Sequence, residues 1–91
     1  MIAAPPTAPS LRLDKLLWHL RFAKSRSVAH AMVERGHIRL NGRRVEKASA
    51  AVRAGDVLTL PLGEEVRVIR LRTLPARRGP PSEAQACYEQ I

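Results

Sequence analysis

The side chains that could bind a partner are mostly arginines, and they are unevenly distributed along the chain. The sequence has 16 Lys and Arg against 8 Asp and Glu, and thirteen of the cations are Arg. Residues 12–53 hold eleven cations and three acids, so this segment carries the whole net charge of +8. The guanidinium group presents a planar fork of donors that fits phosphate oxygens. A segregated basic field of this kind predicts a polyanionic partner.

The donors of this basic segment fall on the polar sides of two predicted helices and near the tip of a predicted hairpin. If the apolar sides of these elements pack together, the cations share one outer surface. Such a surface could follow the phosphates and 2′-hydroxyls of A-form RNA. Any single cation could equally be a solvated surface charge, but that alternative does not explain the whole cluster. The cluster consists of Arg12, Lys15, Lys24, Arg26, His30, Arg35, His37, Arg39, Arg43 and Arg44.

Residues arranged for catalysis or metal binding are not found in the sequence. His19, His30 and His37 each lie in a basic stretch, without neighbours that would orient them as bases or ligands. The glycines are isolated, so there is no phosphate-binding glycine loop. Cys87 is the only cysteine, which excludes an internal disulfide and favours a reducing, cytoplasmic setting. We therefore expect no catalytic residue, no metal, no cofactor and no enzymatic activity.

The first helix that must position these donors is predicted from Leu13 to Ala23. Leucines recur at the helical period on one side, and Asp14 lies in the first turn, where a negative charge suits the helix dipole. The opposite arc carries Lys15, Trp18, His19 and Phe22. The aromatic pair on this arc could be a platform for stacking bases or a second small core covered by the C-terminal segment. We favour the covered arrangement.

The second helix is predicted from Arg26 to Arg35. Ser25 is suited to the N-cap position, because its hydroxyl can accept a hydrogen bond from the first turn. Gly36 is suited to end the helix in the left-handed conformation. The predicted buried face consists of Val28, Ala29, Met32 and Val33.

A hairpin is predicted directly after the second helix. Alternation over residues 37–40 leads into Asn41-Gly42, the strongest two-residue hairpin signal, because both turn residues need positive φ. The apolar residues on either side of the turn are expected to face the core. Arg39, Arg43 and Arg44 are expected to face outward near the turn.

The rest of the chain predicts further strands and a short C-terminal helix. Residues 47–54 are expected to form a loop, 57–60 a strand and 65–74 the last strand. A linker over 75–81 precedes Ser82, whose spacing from Gln85 is that of a capping box. The predicted fold is therefore α+β: two N-terminal helices on a small, mainly antiparallel sheet of 3–5 short strands.

The predicted division of the chain has three parts. Residues 1–10 are expected to be a disordered leader, 11–74 the RNA-binding domain, and 75–91 a linker and short helix. The leader lacks the charged and apolar regions of a signal peptide, and no apolar run is long enough to span a bilayer. We expect no membrane partner and a monomer.

Several ordered residues resemble one known family, the S4 (alpha-L) RNA-binding domain, over about residues 12–60. They are Arg12-Leu13-Asp14-Lys15, Arg21, Ser25-Arg26, Ala29, Gly36, Asn41-Gly42 and Gly55-Asp56. A narrower resemblance, to ribosome-associated heat shock proteins that contain this domain, is carried by Trp18, Arg21-Phe22, residues 77–84 and Tyr88. Members of that group continue into a longer basic extension, whereas this sequence ends at Ile91.

The resemblance implies a cytoplasmic, ribosome-associated protein that binds structured RNA. Its implied partners are large-subunit ribosomal RNA and peptidyl-tRNA on the free large ribosomal subunit, in ribosome recycling or rescue and the heat-shock response. The RNA-binding residues are then expected to be Arg12, Lys15, Lys24, Ser25, Arg26, His30, Arg35, Arg39, Asn41, Arg43 and Arg44.

Two other functions fit parts of the same pattern. The chain could be the RNA-targeting accessory domain of an rRNA- or tRNA-modifying enzyme, although 91 residues leave no room for the catalytic domain. It could also be a DNA-binding module, because the junction Ala23–Arg26 has the length of a helix-turn-helix connection. The second helix would then present only a thin set of side chains for reading bases.

Overall fold

The computed structural model describes residues 9–91 and shows three helices and two antiparallel sheets. The predicted leader lies mainly in residues 1–8, outside the described part of the chain. The elements in order are β1 Leu11–Arg12, α1 Leu13–His19, α2 Arg26–Glu34, β2 Ile38–Leu40, β3 Arg43–Val45, β4 Ala51–Val52, β5 Val57–Leu62, β6 Glu65–Leu71, α3 Pro81–Gln85 and β7 Tyr88–Gln90.

Helix α1 is shorter than its apolar pattern predicts, because it ends in a left-handed turn at Arg21 (φ 66°). The N–H of Phe22 donates to Leu17 O at 3.0 Å and that of Arg21 to Trp18 O at 3.1 Å. These two bonds form a Schellman motif, which satisfies the last carbonyls of the helix. The apolar stripe remains in the core on both sides of the turn, because Leu20 before it and Ala23 after it are buried.

The start of α1 is held by the loop that follows the hairpin. No side chain caps this helix, and the N–H groups of Leu13 and Asp14 donate instead to Ala50 O and Ala48 O, at 2.9 and 3.1 Å. The same loop contains β4, which pairs with β1 through Leu11–Val52 and Arg12–Ala51. The sequence predicted only a loop here, because a two-residue pairing has no local signature.

Helix α2 and its ends follow the prediction closely. The Ser25 hydroxyl accepts a hydrogen bond from Val28 N–H at 3.1 Å, and Gly36 ends the helix with φ +77°. Ala29 and Val33 are fully buried on the side facing the core, while Val28 and Met32 pack at its margin.

The main sheet has the strand order β3-β2-β5-β6-β7, and every pair is antiparallel. The hairpin turn is as predicted, with φ of 52° at Asn41 and 83° at Gly42. One face of the sheet joins the helices in a single core. Its largest fully buried members are Leu13, Leu16, Leu17, Ile38, Leu58, Leu60, Ile69, Leu71, Val33 and Val52.

Strand β5 extends beyond its predicted end and includes Pro61, which pairs with Val66. Proline is tolerated there because β2 pairs with β5 only at Leu58 and Thr59, so the missing N–H breaks no bond to β2.

The C-terminal segment returns to the body and completes the sheet. Helix α3 begins after Pro80, with Pro81 at its first turn, so the prediction that Ser82 caps it is wrong. Strand β7 then pairs with β6 from Ile69–Gln90 to Leu71–Tyr88, a strand the sequence analysis did not predict. Arg21 Nε donates to Gly79 O at 2.6 Å, and Arg78 Nε donates to Trp18 O at 3.1 Å. These two hydrogen bonds hold the segment before α3 against the end of α1.

Candidate RNA-binding surface

A buried carboxylate, Asp14, lies at the centre of the predicted basic surface. Its residue is only 2% exposed, although it stands in the first turn of α1. Arg12 donates to both of its oxygens, from Nε to Oδ1 at 3.2 Å and from Nη2 to Oδ2 at 3.1 Å. The backbone N–H of Lys15 donates to Oδ1 at 2.7 Å. Asp14 therefore fixes the orientation of a guanidinium that is itself about half exposed.

The same carboxylate also reaches the second helix. Arg26 Nε lies 3.6 Å and His30 Nδ1 3.7 Å from Asp14 Oδ2. His30 Nε2 lies 3.0 Å from Glu34, one turn further along α2. Three predicted site residues from two separate elements thus converge on one acid. Arg12, Asp14, Arg26 and His30 form one part of the predicted surface, and we call these four residues the Asp14 cluster.

The protonation state of Asp14 follows from this arrangement. Burial alone would raise the pKa of Asp14, but the hydrogen bonds from Arg12 and Lys15 and the charges of Arg12 and Arg26 together lower it below the usual value. The acid is ionised at neutral pH, and its charge holds the surrounding cations at fixed positions.

His19 does not lie on the exposed side of α1, where the sequence placed it. The residue is 4% exposed, and its Nδ1 is buried without a hydrogen-bond partner within residues 9–91. Burial lowers the pKa of His19, and the charges of Lys15, Arg26 and Arg78 lower it further, against the effect of the Pro75 backbone. His19 is therefore neutral at neutral pH, and cations from α1, α2 and the C-terminal segment are near enough to lower its pKa.

The hairpin arginines are all exposed, but contrary to the prediction they do not lie on the same face of the hairpin. Arg39 pairs with Arg44 across the hairpin, whereas Arg43 pairs with Leu40 and so lies on the core-facing side at the tip. Directly paired residues point to the same face of an antiparallel sheet, and successive residues alternate. The hairpin therefore presents Arg39 and Arg44 on one face and Arg43 on the other.

The hairpin is tied to the end of α2 through Arg44. Its guanidinium packs over Gly36, so closely that a Cβ at Gly36 would lie 2.8 Å from Arg44 Nη2. A cleft of about 280 Å³ is lined by Gly36, His37, Arg39 and Arg44. The hairpin arginines Arg39, Arg43 and Arg44, which we call the hairpin group, therefore lie at the opposite end of α2 from Arg26.

Asn41 has a structural role in this hairpin. Its Nδ2 donates to Asp56 Oδ1 at 3.1 Å, and its Oδ1 accepts from the N–H of Val57 at 2.8 Å. Both polar atoms of the side chain therefore fasten the hairpin tip to the start of β5.

Comparison with known proteins identifies the architecture built by these residues. The family model described as the S4 domain matches residues 11–58, more than half of the chain. The chain belongs to the S4 domain family. This match covers both parts of the basic surface, and it supports the RNA-binding domain that the sequence resemblance predicted.

Relatives of this S4 domain protein include two named groups. Heat shock protein 15 of Escherichia coli (strain K12) is 40% identical over 83 residues, a match that covers 91% of this chain and 62% of that protein. The chain thus spans less than two thirds of this relative's length. The small ribosomal subunit protein uS4 of Kosmotoga olearia is 39% identical over 72 residues, covering 70% of this chain and 35% of that protein.

A solved structure gives the same fold. The trimeric structure of Vibrio cholerae heat shock protein 15 matches with a TM-score of 0.85 at 38% identity. The match covers 91% of this chain and 83% of that chain. The α+β fold with its S4 architecture is therefore shown by sequence and by structure.

The remaining predicted residues of this S4 domain lie around the two groups. Lys15 is half-buried next to Asp14, and Lys24 is exposed in the connection between α1 and α2. Ser25 uses its hydroxyl as the α2 cap. Arg35 is exposed at the C-terminal end of α2 and lines a cleft with His37, Pro61 and Gly63.

The sequence does not predict the roles of two residues near this surface, Asp14 and Arg78. Asp14 was interpreted only as a charge favourable to the helix dipole, although an acid between Arg12 and Lys15 in an otherwise basic stretch was a signal. Arg78 was assigned to a linker, but it is half-buried against α1 and its charge is felt at His19. Within residues 9–91 no cluster of His, Cys, Asp or Glu could hold a metal, and no helix is long and apolar enough to cross a membrane.

Proposed function

We propose that this chain is a non-catalytic protein that binds structured RNA through the Asp14 cluster and the hairpin group. The observation that carries the proposal is the convergence of Arg12, Arg26 and His30 on one buried carboxylate. Guanidinium groups held by a buried acid keep their remaining N–H donors at a fixed spacing, which suits the regular phosphates of a folded RNA better than a flexible chain.

The proposed target is ribosomal RNA on the free large ribosomal subunit that carries peptidyl-tRNA, in ribosome recycling or rescue under heat shock. The names of the relatives support a ribosomal and heat-shock setting, because one group is called heat shock protein 15 and the other is a protein of the small ribosomal subunit. The choice of the large subunit with peptidyl-tRNA rests on the resemblance of the sequence alone. We propose a cytoplasmic, ribosome-associated location on the same grounds. Co-sedimentation with large subunits, prepared with and without peptidyl-tRNA, tests this target, and equal recovery with small subunits would contradict it.

RNA binding itself is tested by the salt dependence of the affinity for a labelled RNA hairpin. If about five to seven phosphates are neutralised, log Kd should change with log salt concentration with a slope of magnitude roughly 4 to 6. A slope near zero, or tighter binding to duplex DNA at equal salt, would overturn the proposal in favour of a protein partner or of the DNA-binding alternative.

A matched pair of variants locates the surface. Arg26→Gln removes a cation of the Asp14 cluster, and Arg70→Gln removes one that pairs with Glu89 on the sheet; the two side chains are 45% and 51% exposed. We expect the first to weaken hairpin binding and reduce the salt slope by about one, and the second to change neither. Reversal of Arg43 and Arg44 to Glu, singly, tells which face of the hairpin contacts the RNA.

The oligomeric state is a separate question. We propose that the chain acts as a monomer, although the Vibrio cholerae relative is described as trimeric. Sedimentation equilibrium at the concentrations of the binding assay distinguishes the two states.

A further inference from the structure

A second cleft lies away from the Asp14 cluster, between the end of α1 and the C-terminal elements. Its volume is about 210 Å³. None of the predicted RNA-binding residues lines it. The residues that do are Leu20, Arg21, Phe22, Arg67, Pro81, Ala84, Gln85 and Tyr88.

One part of this cleft is an aromatic wall. The rings of Phe22 and Tyr88 lie 5.2 Å apart between centroids at an interplanar angle of 46°. Both side chains are half-buried, so each packs on the core and still borders the cleft. The Arg67 guanidinium lies over the ring of Phe22, with its Cζ 5.9 Å from the ring centroid. Flat aromatic and guanidinium surfaces next to each other are the surfaces on which nucleic-acid bases stack.

The charge of the cleft is positive. Arg21 uses one donor, Nε, on Gly79 O at 2.6 Å, and Arg67 uses Nη2 on Gln90 Oε1 at 2.7 Å. Each guanidinium has further N–H groups, because it carries five donors in all. No carboxylate lines the cleft among residues 9–91. Glu83, the acid of α3, pairs with Arg77 at 2.8 Å.

The backbone at the cleft has a left-handed residue, Arg21. Arg21 occupies the left-handed position of the Schellman motif, which glycine usually takes because a side chain is strained there. Ending α1 does not require an arginine at this position. Its bond to Gly79 O fixes the side chain at the cleft, so the strained residue is also one whose donors are held in place.

We propose that this cleft binds one unpaired nucleotide of the RNA, with its base against Phe22 and Tyr88 and its phosphate at Arg21 and Arg67. This inference rests on the proposed function, and it adds a preference for RNA that has an unpaired nucleotide beside a helical segment. The Asp14 cluster then binds the helical part, while the cleft takes a base that has left the stack.

The cleft is tested first without any RNA helix. Adenosine 5′-monophosphate and ribose 5-phosphate are titrated into ¹⁵N-labelled protein, and backbone amide shifts are followed by NMR. We expect saturable shifts at Phe22, Arg67 and Tyr88, with the nucleotide binding about fivefold or more tighter than the sugar phosphate because only it has a base to stack. Equal affinity for the two ligands, or shifts confined to the Asp14 cluster, would overturn the proposal.

Variants on one helix provide the control. Gln85→Glu places a negative charge in the cleft, and Ser82→Glu makes the same change of charge on α3 outside it. Both residues are exposed, so both variants should fold. The first should abolish the shifts caused by adenosine 5′-monophosphate, and the second should leave them. If both variants bind the nucleotide as well as the parent protein does, the cleft is not the site.

The connection to RNA is tested with two labelled hairpins, one blunt and one with a single unpaired 3′ adenosine. The unpaired nucleotide should tighten binding about fivefold or more. Tyr88→Leu should remove this gain and leave blunt-hairpin binding unchanged, whereas Arg26→Gln should weaken both hairpins and preserve the ratio.

The two proposals fail in different ways. A bound blunt hairpin with no gain from the overhang refutes the cleft alone. Loss of all hairpin binding with intact nucleotide shifts refutes the proposed RNA function and leaves the cleft a nucleotide site. Shifts produced by an acidic peptide and not by adenosine 5′-monophosphate would assign the cleft to a protein partner and overturn the inference.

Discussion

At the scale of single residues, the basic surface depends on an acid. Asp14 carries the only negative charge in its turn of α1, and it lies beneath Arg12, Arg26 and His30. Its charge lowers the local positive potential, which weakens attraction to any polyanion. In return it fixes the spacing of three donors, which favours partners with regularly spaced phosphates. The two effects oppose each other, so a substitution can separate them.

The substitution Asp14→Asn removes the charge and keeps an oxygen that can accept from the N–H of Lys15. We expect the free energy of unfolding to fall by only about 1 kcal/mol, because Arg12 and Arg26 are half exposed and water can replace their bonds. Binding of a single-stranded homopolymer should tighten, since the net charge rises by one, whereas discrimination in favour of a folded hairpin should fall. Fluorescence anisotropy with both RNAs measures the ratio, and an unchanged ratio would contradict a positioning role.

The pH dependence of stability tests the burial of His19. Burial, Lys15, Arg26 and Arg78 lower its pKa in the folded protein below the usual 6.5. The unfolded chain therefore takes up a proton at higher pH than the folded chain does, so stability falls as pH drops below about 6.5. Thermal unfolding between about pH 5 and 7 should show this decrease. It should be smaller in His19→Gln and persist in His37→Gln, whose side chain is exposed; equal curves for both variants would exclude His19 as the cause.

At the scale of elements, α2 and the hairpin are closely packed where they join. Gly36 ends the helix with positive φ, and the Arg44 guanidinium covers it. Any side chain here is strained by the backbone and also displaces a predicted RNA contact. The junction thus couples helix termination to the position of Arg44.

Gly36→Ala separates these two effects when compared with Gly63→Ala. Both glycines have positive φ, of 77° and 63°, but a Cβ at Gly63 meets no atom within 4 Å. Backbone strain should lower the free energy of unfolding by about 1–2 kcal/mol in each variant. Only Gly36→Ala should also weaken RNA binding, because Arg44 must move. Chemical denaturation and anisotropy on both variants check this, and equal binding by the two would argue against an RNA contact by Arg44.

At the scale of the whole molecule, the C-terminal segment is a structural part of the body. Strand β7 extends the sheet, Tyr88 packs beside Phe22, and Arg78 is bonded to the end of α1. Ala84 and Cys87 are buried in the common core. The proposed boundary of the RNA-binding domain at residue 74 would separate these contacts from the S4 domain.

Truncation after Leu74 tests that boundary. We expect the fragment of residues 9–74 to unfold at a clearly lower temperature than the chain of residues 9–91, because it exposes Phe22 and leaves β6 as an open edge. The Asp14 cluster lies entirely within the fragment, so hairpin binding at low temperature should largely survive. Calorimetry and anisotropy on both proteins give the two answers. Equal melting temperatures would mean that residues 75–91 do not contribute to the stability of the fold.

Much of this structure was predictable because its signals are local. Ser25 caps the next turn, Asn41-Gly42 forms the hairpin turn, and Gly36 ends a helix, each through bonds within a few residues. The segregation of charge is equally a property of the sequence. These features determined the helices, the hairpin and a basic segment with the residue order of an S4 domain.

Contacts between distant segments were decided only by the tertiary structure. The predicted polar arc of α1 became a buried side at His19, because Pro75 and Arg78 return to cover it. The strands β4 and β7 depend on partners about 40 and 20 residues away, at Leu11 and Ile69, so their short sequences alone gave no signal. The approach of Arg26 and His30 to Asp14 depends on the packing of α1 against α2, since periodicity shows which residues share a face but not what that face meets.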